Sequence, residues 1–316
     1  MDSKYIAVNE LAAFVEGETC TLNFMHVNCR SLNKNYAALI NLLQFIPTPL
    51  SAIAVTETWL TNVNEANFNI DGYKFIHQSR LSKTGGGVGI YILEGLDYIV
   101  RTNLCLNLPY AEAIFVEIIQ TNKKNIILGC VYRPPGIDID SFNNTVHGLL
   151  GNLNKEKGKT ILIAGDFNID LLKHDVHGPT NDFINNMFAH SYVPVINIAT
   201  RIMNHTSSLI DNIFVRCNNN NYRSAVVYSD ISDHFPVIVQ LSVLAKNIVR
   251  SDTTLKKRFY DDRSMHNFNL QLSAPEVWNE VYEVINNGGN SNDAMTEFYK
   301  VHNAAFESCK ILSLHR

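Results

Sequence analysis

The hydrophobic positions along the front half of the chain repeat with two different periods. The run "TLNFMHVN" at 21–28 is short and β-rich, and "SAIAVTET" at 51–58 is a second run of this kind. Between them, "SLNKNYAALINLLQFI" has apolar residues spaced as on one face of an amphipathic helix: Leu32, Tyr36, Leu39, Ile40 and Leu43. Pro47 and Pro49 end this helical pattern. The stretch therefore predicts a strand–helix–strand unit.

A second unit of the same kind follows further along the chain. It consists of "NIILGCVY", the break "RPPG", a helix from about Asp140 to Leu153 and the run "TILIAGDF". Short β-like runs at hairpin spacing lie before it, and after it come a short helix, "NDFINNMFAH", and four more β-like runs. Many strands with few helices, mixing crossovers and hairpins, indicate two packed mixed sheets with helices outside them.

The chain divides into three parts that differ in composition and hydrophobic pattern. Residues 1–20 read as a short N-terminal extension, and the β-rich main domain spans 21–244. From about 245 the sequence is polar and mixed in charge, and residues 275–311 carry two helical patterns broken by "NNGGNSN". This part is too small for a confident core of its own, so we expect a linker or helical tail.

Composition narrows the class of protein without identifying it. The chain has 316 residues, 46% of them hydrophobic, and a net charge of −4, so a generally basic nucleic-acid binder is not indicated, although a local basic face stays open. No apolar run approaches the roughly 18 residues of a membrane helix, and no secretion signal begins the chain. The six cysteines form no C-x-x-C pair. We expect an intracellular protein with free thiols.

Polar residues gather at one set of strand ends. Some follow the last apolar residue of a predicted strand and others precede the first residue of an antiparallel one, so in a mixed sheet all of them share one rim. These residues are Asn28, Glu57, Tyr132, Asp166, Asn168, Asp211 and His234. Strand period also puts Asp166 and Asn168 on the same face, provided that the strand continues through Phe167.

The chemistry that suits such a cluster follows by elimination. No G-x-S-x-G nucleophile motif occurs, and "TGGGVG" lacks the lysine of a phosphate-binding loop and precedes a strand. What remains is rich in oxygen: Glu57 with Asn28 can hold Mg²⁺, and a carboxylate beside His234 can keep its imidazole charged. Together these groups suit metal-assisted attack of water on a phosphodiester.

Each residue alone has a plainer explanation. An Asp or Asn after a strand is usually a turn former or helix cap, a lone Glu57 or His234 is usually solvated or structural, and Tyr132 could be a core residue. The pair His174 and His177 lies in a polar loop, "KHDVHG", and is better explained as solvent-exposed than as a ligand pair. Only the shared rim favours the functional interpretation.

Six motifs, in this order, resemble the endonuclease/exonuclease/phosphatase superfamily. They are "HVNCRSL", "AVTETWL", "GCVYRPPG", "LIAGDFNIDL", "ATRIMNHTSSLIDNIF" and "YSDISDHFPVIVQL". G-D-F-N and S-D-H occur across the superfamily, whereas "TETWL" and "YRPPG" are similar to the apurinic-type endonuclease domain of LINE-type non-LTR retrotransposons. The resemblance covers about residues 21–244 and implies a four-layer α/β/β/α sandwich whose site lies at one rim.

The resemblance also implies a role for each site residue. Glu57 would be the principal Mg²⁺ ligand, with Asn28 and Asp233 close to the ion, and Mn²⁺ is the alternative metal. Asp166 would orient or deprotonate the attacking water.

The remaining roles concern the phosphate. Asn168 and Tyr132 would bind the scissile phosphate, and His234, supported by Asp211, would stabilise the transition state or assist the leaving group. Thr200 and Ser232 match positions near the phosphate.

The predicted function is a Mg²⁺-dependent endonuclease that nicks one strand of double-stranded DNA and, by resemblance, starts target-primed reverse transcription. The expected partners are DNA and, if the chain is part of a longer polyprotein, retroelement RNA or a reverse transcriptase domain; no membrane is involved. We expect residues 245–316 to be a linker or helical tail that precedes a missing reverse transcriptase. We expect the protein in the nucleus and cytoplasm.

Three alternatives stay open. The same fold could act on abasic DNA, RNA, an inositol phosphate or a phospholipid. The chain could be an inactive copy that binds nucleic acid or a protein partner. Residues 245–316 could form an interaction module of their own.

Overall fold

The computed structural model describes residues 3–16, 21–60, 68–80, 85–121, 123–203, 206–217, 222–242, 255–258, 262–307 and 311–314. The chain forms two compact units, Met1–Leu244 and Ala245–Arg316, which are described separately. Within the described ranges, no helix is long and apolar enough to cross a membrane.

The first unit is built mainly of short strands, most of which carry buried apolar residues. Its strands within the described ranges are β1 (Lys4–Ala7), β2 (Thr21–Asn28), β3 (Ala52–Thr56), β4 (Tyr73–Gln78), β5 (Val88–Leu93), β6 (Tyr98–Val100), β7 (Leu106–Leu108), β8 (Ala111–Ile118), β9 (Ile126–Tyr132), β10 (Thr160–Asp166), β11 (Val193–Pro194), β12 (Arg201–Met203), β13 (Thr206–Ser208), β14 (Asp211–Arg216), β15 (Tyr222–Tyr228) and β16 (Val237–Ser242).

Four α-helices within the described ranges accompany these strands. They are α1 (Leu11–Val15), α2 (Leu32–Gln44), α3 (Ile139–Leu153) and α4 (Gly178–Ala189). The Asp138 side chain caps α3 by accepting a hydrogen bond from the backbone N–H of Ser141 at 2.8 Å, and Pro179 lies in the first turn of α4. The two strand–helix–strand units that the sequence predicts are thus β2–α2–β3 and β9–α3–β10, with parallel pairing in both.

The first sheet has the strand order β1-β15-β16-β2-β3-β5-β4. Successive residues of its strands face two different cores. Met25, Val27, Ile53 and Val55 pack with α1 and α2, whereas Phe24, Ala52 and Ala54 face a second core on the other side of the sheet. That alternation follows from the two-residue period of a strand.

The second sheet has the order β11-β14-β10-β9-β8-β6, with β7 also paired to β8, and the core around it contains the buried faces of α3 and α4. Phe24, Ala52 and Ala54 of the first sheet share this core with residues of β8, β9 and β10, so the two sheets pack face to face. The order of layers is helix, sheet, sheet, helix. This arrangement confirms the α/β/β/α sandwich predicted from the sequence.

The N-terminal segment differs from the expected separate extension. Lys4–Ala7 forms the edge strand β1, which pairs in parallel with Ala225–Tyr228 of β15. The Tyr5 ring also stacks on Tyr228, with ring centroids 4.9 Å apart. The predicted domain start at residue 21 therefore leaves out β1. The sequence gives no local signal for the pairing of this strand, because its partner β15 is distant along the chain.

The second unit contains the predicted helical tail. Its elements within the described ranges are β17 (Leu255–Arg258), α5 (Asp262–Ser273), α6 (Asn279–Asn286), α7 (Ser291–Glu307) and β18 (Ile311–Leu314). β17 and β18 form an antiparallel pair that the helical pattern alone does not predict. The first part of the expected linker, up to residue 254, lies outside the described residues.

Candidate active site

One rung of the second sheet carries a row of polar residues at its rim. Glu112 of β8 lies opposite Tyr132 of β9, Tyr132 lies beside Asp166 of β10, and Asp166 lies opposite Asp211 of β14. Tyr132 and Asp166 end their strands and Asp211 begins its strand, as the mixed topology requires. The shared rim predicted from the sequence is therefore present in the second sheet.

Asn28 connects this rim to the first sheet. Its Nδ2 donates to Asp166 Oδ2 at 2.8 Å and to Glu57 Oε1 at 3.0 Å, and its Oδ1 accepts a hydrogen bond from the Arg30 backbone N–H at 3.0 Å. Asn28 thus offers amide hydrogens to both carboxylates in this arrangement. It holds the carboxylates of the two sheets together at the rim.

Asp166 and Asn168 meet through a turn and not through strand alternation. β10 ends at Asp166, and Asn168 has a φ of +47°, outside strand geometry. The backbone N–H of Asn168 donates to Asp166 Oδ1 at 2.9 Å, and its Nδ2 donates to Asp166 Oδ2 at 3.1 Å. The expectation that the strand continues through Phe167 was wrong, but the two side chains are in contact.

His234 and Asp211 form a buried hydrogen-bonded pair. His234 Nδ1 lies 2.9 Å from Asp211 Oδ2, and the Thr200 hydroxyl donates to the same oxygen at 2.9 Å. Burial lowers the pKa of His234, but the charge and hydrogen bond of Asp211 outweigh it and raise the pKa to about 9. His234 is therefore an imidazolium at neutral pH, as expected from the sequence for a histidine beside a carboxylate.

A second histidine, His26, belongs to the site although it was not among the predicted residues. Its Nδ1 lies 3.9 Å from Asp211 Oδ1, and its Nε2 lies 3.1 Å from the Thr56 hydroxyl. Burial lowers the pKa of His26 to about 4, against the opposing charge of Asp211. It is neutral where His234 is charged. The only signal in the sequence is its place two residues before Asn28 in the same strand, which gives it the same facing.

Two predicted residues use their hydroxyl groups inside the protein. Thr200 is fully buried and also accepts a hydrogen bond from the Asp211 backbone N–H at 3.1 Å. Ser232 donates to the Asn28 carbonyl at 2.7 Å and accepts from the His234 backbone N–H at 3.1 Å. Both fix the positions of site residues, and their predicted place near a phosphate stays a prediction.

Asp233 is paired with two arginines at the edge of the site. Its Oδ1 lies 2.8 Å from Arg30 Nη1, and its Oδ2 accepts from Arg201 Nε at 2.9 Å. Burial raises the pKa of Asp233, but the hydrogen bond from Arg201 and the neighbouring positive charges lower it below its usual range. Asp233 is ionised here, and its charge is already balanced by cations.

Tyr132 stands in a strongly acidic surrounding. It is 3% exposed, and burial together with the charges of Glu57, Asp166 and Glu112 raises the pKa of its phenol. Arg80 opposes this effect. The hydroxyl therefore keeps its proton and can act as a hydrogen-bond donor to an anion.

The site carries an excess of negative charge that a divalent cation would balance. Burial raises the pKa of Asp166 well above its usual range, and the carboxylates of Asp211 and Glu57 raise it further. The buried Asp211 Oδ1 has no hydrogen-bond partner among the described residues. Ligand atoms of Asp166, Asp211 and His234 lie within 4.8 Å of one another. The carboxylates of Glu57, Asp166 and Asp211 fit a hard cation such as Mg²⁺ or Mn²⁺, whereas the charged imidazolium of His234 offers no lone pair to a metal.

The discounted pair His174 and His177 lies apart from this cluster. His174 Nε2 contacts Asp175, and His177 Nδ1 lies 2.9 Å from the Thr180 hydroxyl. Among the residues that the structure describes, neither belongs to a group that could hold a metal ion.

The family of the chain is clear from its sequence. The profile of the Endonuclease/Exonuclease/phosphatase family matches residues 25–234, which include every site residue discussed above. The chain belongs to this family, whose members are hydrolytic nucleases and phosphatases that use a divalent metal. No curated protein shows a significant match to the chain.

Solved structures agree with this fold assignment. The endonuclease domain of TRAS1, a telomere-specific non-LTR retrotransposon, is 14% identical, with a TM-score of 0.52 over 70% of this chain and 98% of that domain. The AP endonuclease LMAP from Leishmania major is 16% identical, with a TM-score of 0.58 over 71% of this chain and 88% of that protein. An AP endonuclease from Archaeoglobus fulgidus is 18% identical, with a TM-score of 0.50 over 69% and 98%.

Proposed function

We propose that the chain is a Mg²⁺-dependent endonuclease that hydrolyses a phosphodiester and nicks one strand of double-stranded DNA. The observation that carries the proposal is the meeting of Glu57, Asp166 and Asp211 with the imidazolium of His234 at one rim. A carboxylate that can accept a proton and a cation that can face a phosphate are the two groups that hydrolysis of a phosphodiester needs.

We assign the metal to the Glu57 side of this cluster. Glu57 would be its principal ligand, with Asn28 and Asp233 nearby, because Glu57 is the partly exposed carboxylate while Asp166 and Asp211 are enclosed. When bound, Mg²⁺ or Mn²⁺ supplies charge neutralisation at the phosphate.

The protein side chains supply the remaining steps. Asp166, held by Asn28 and Asn168, would orient the attacking water and accept its proton. Asn168 and Tyr132 would donate hydrogen bonds to the scissile phosphate. His234, kept charged and oriented by Asp211, would stabilise the negative charge of the transition state or protonate the leaving oxygen.

We further propose that the nick leaves a 3′-hydroxyl that primes reverse transcription of a retroelement RNA. The support is the retroelement-type motifs "TETWL" and "YRPPG" together with the fold shared with the TRAS1 domain. In this proposal residues 245–316 connect the endonuclease to a reverse transcriptase, and the protein acts in the nucleus.

Nicking of supercoiled plasmid tests the proposal. We expect conversion to open circles that requires Mg²⁺ or Mn²⁺, stops with EDTA, and falls at least about 100-fold in Asp166→Ala and His234→Ala. His174→Ala and Asp175→Ala are matched controls, because they remove the same residue types from an exposed loop outside the cluster. A 3′-hydroxyl at the nick would be extended by a DNA polymerase.

The same preparation separates the alternatives. Faster turnover of an abasic duplex, an RNA or an inositol phosphate than of intact plasmid would identify that compound as the substrate. The proposed roles of the site residues would then stand. Metal binding without turnover of any of these would identify an inactive copy. Nicking that survives both alanine substitutions would contradict the proposed roles of Asp166 and His234.

A further inference from the structure

Gly85, Gly86 and Gly87 form a glycine loop that lies against the segment that carries Glu57. The backbone N–H of Trp59 donates to the Gly86 carbonyl at 2.9 Å, and that of Thr58 donates to the Gly87 carbonyl at 3.3 Å. Gly85, Gly86 and Gly87 all have φ between +71° and +99°. The stretch is therefore a support for the chain directly after Glu57.

The supported segment is strained. Glu57 has a φ of +52° and Trp59 a φ of +53°, in the left-handed region that non-glycine residues rarely adopt. Such conformations persist only where surrounding contacts impose them. The carboxylate assigned to the metal thus depends on contacts that hold its backbone.

A buried ion pair lies beneath the glycines. Glu112 is 2% exposed, its Oε2 accepts a hydrogen bond from the Gly87 backbone N–H at 2.6 Å, and its Oε1 pairs with the Arg80 guanidinium. A Cβ atom on Gly86 would stand 2.6 Å from Arg80 Cζ and 2.7 Å from Glu112 Oε1, and one on Gly87 would overlap the Thr58 hydroxyl. Glycine fits both positions, because their φ angles are positive and their backbones lie close to Arg80, Glu112 and Thr58.

We propose that Arg80 and Glu112 are positioning residues that hold Glu57 in its metal-binding conformation through the glycine loop. The inference rests on the proposed function of Glu57. Glu112 also lies opposite Tyr132, which lies beside Asp166. The ion pair of Arg80 and Glu112 therefore fixes the position of the glycine loop relative to Tyr132 and Asp166. Groups that orient metal ligands in this way typically contribute about 10–100-fold to metal affinity.

The same strand offers a matched control. Glu117, also on β8 and also buried, pairs with Arg101 and Lys159 towards the other end of the strand from Glu112. An ion pair with a purely structural role should behave alike at both places. Glu112→Gln and Glu117→Gln remove one charge each from comparable surroundings.

Binding of Mn²⁺, followed by electron paramagnetic resonance, and Mg²⁺ titration of plasmid nicking test the inference. We expect Glu112→Gln and Arg80→Gln to weaken Mn²⁺ binding about tenfold and to raise the Mg²⁺ concentration for half-maximal nicking equally. The rate at saturating Mg²⁺ should return to within about threefold of wild type, because the catalytic groups are intact. Arg80→Lys should restore part of the affinity.

The outcomes are distinct. Unchanged Mn²⁺ affinity in Glu112→Gln, or an equal loss in Glu117→Gln, would overturn the inference while the wild-type activity upheld the proposed function. If the wild type neither binds Mn²⁺ nor nicks DNA, the proposed function fails and the inference fails with it. Melting temperatures identify a variant that loses affinity only by unfolding.

Discussion

Gly165 precedes Asp166 in β10 and lies beside Val131 of the neighbouring strand β9. A Cβ atom there would overlap the carbonyl oxygen of Val131 in β9, which is backbone and has no rotamer to adopt. Glycine at this position lets β9 and β10 approach each other one residue before Asp166. Packing therefore requires the glycine of the "AGD" sequence.

Gly165→Ala should strongly destabilise the first unit. We expect a loss of about 3 kcal/mol or more in the free energy of unfolding, because the strands must move apart. Gly148→Ala is the control: Gly148 lies in α3 with nothing within 4 Å of an added Cβ, so alanine should stabilise the helix by about 0.5–1 kcal/mol. Denaturant unfolding measures both, and equal effects would contradict the packing argument.

Residue identities in the site could be predicted from the sequence more readily than their contacts. Asp166 and Asn168 were recognisable from their position after a buried strand, yet the turn that joins them depends on a left-handed Asn168 that alternation does not indicate. His26 was missed because a histidine inside an apolar strand has the same pattern as a core residue. Its role is visible only from Asp211, which is 185 positions away and brought near by sheet packing.

At the scale of elements, the local hydrophobic pattern was sufficient to predict most strands and helices. It was not sufficient to predict which strands pair with each other. The two crossover units follow from hydrophobic period and proline breaks. The pairing of β1 with β15 and the order of both sheets depend on contacts between distant segments, which no local pattern reports. The β17–β18 pair was missed for the same reason.

Arg101, Glu117, Glu156 and Lys159 form an ion cluster beside the second sheet. Lys159 Nζ lies 2.6 Å from Glu117 Oε1 and 2.7 Å from Glu156 Oε2, and Arg101 pairs with both carboxylates. It connects β8 to the start of β10 and to the turn that follows α3. For Glu117, burial raises the pKa, but hydrogen bonds from Lys159, Asn125 and Arg101 lower it below its usual range.

This cluster should make stability fall in acid. A carboxylate with a lowered pKa in the folded state contributes stability fully above its unfolded pKa of about 4.5 and loses it as pH falls through the folded value. Glu117→Gln should cost about 1–2 kcal/mol at pH 7 and reduce the loss between pH 5 and 3. Urea unfolding across this pH range is the measurement. Parallel pH profiles of variant and wild type would contradict the assignment.

At the scale of the whole molecule, the sequence predicted a net acidic protein whose basic groups would have to act locally. The structure places two cations at the rim of the site: Arg30, whose side chain is 54% exposed, and Arg201. Both flank Asp233, so they are preorganised beside His234. Composition could not predict this local concentration of positive charge, because it arises where "CRSL", "ATR" and "SDH" meet from three distant parts of the chain.

These arginines should contact DNA phosphates, and binding should therefore depend steeply on salt. Each neutralised phosphate adds about −0.9 to the slope of log affinity against log salt. We expect Arg30→Ala to reduce that slope by about 1 and to raise KM for plasmid several-fold while kcat stays within about twofold.

The control is Lys155→Ala, an exposed cation just after α3 and before β10, on the side away from the Asp166 end of that strand. Nicking rates between 50 and 200 mM salt, within the range over which such slopes are resolved, separate the two variants. An equal slope in wild type and Arg30→Ala would show that Arg30 serves only to balance Asp233. A lowered kcat would show instead that Arg30 acts on the reacting groups through Asp233.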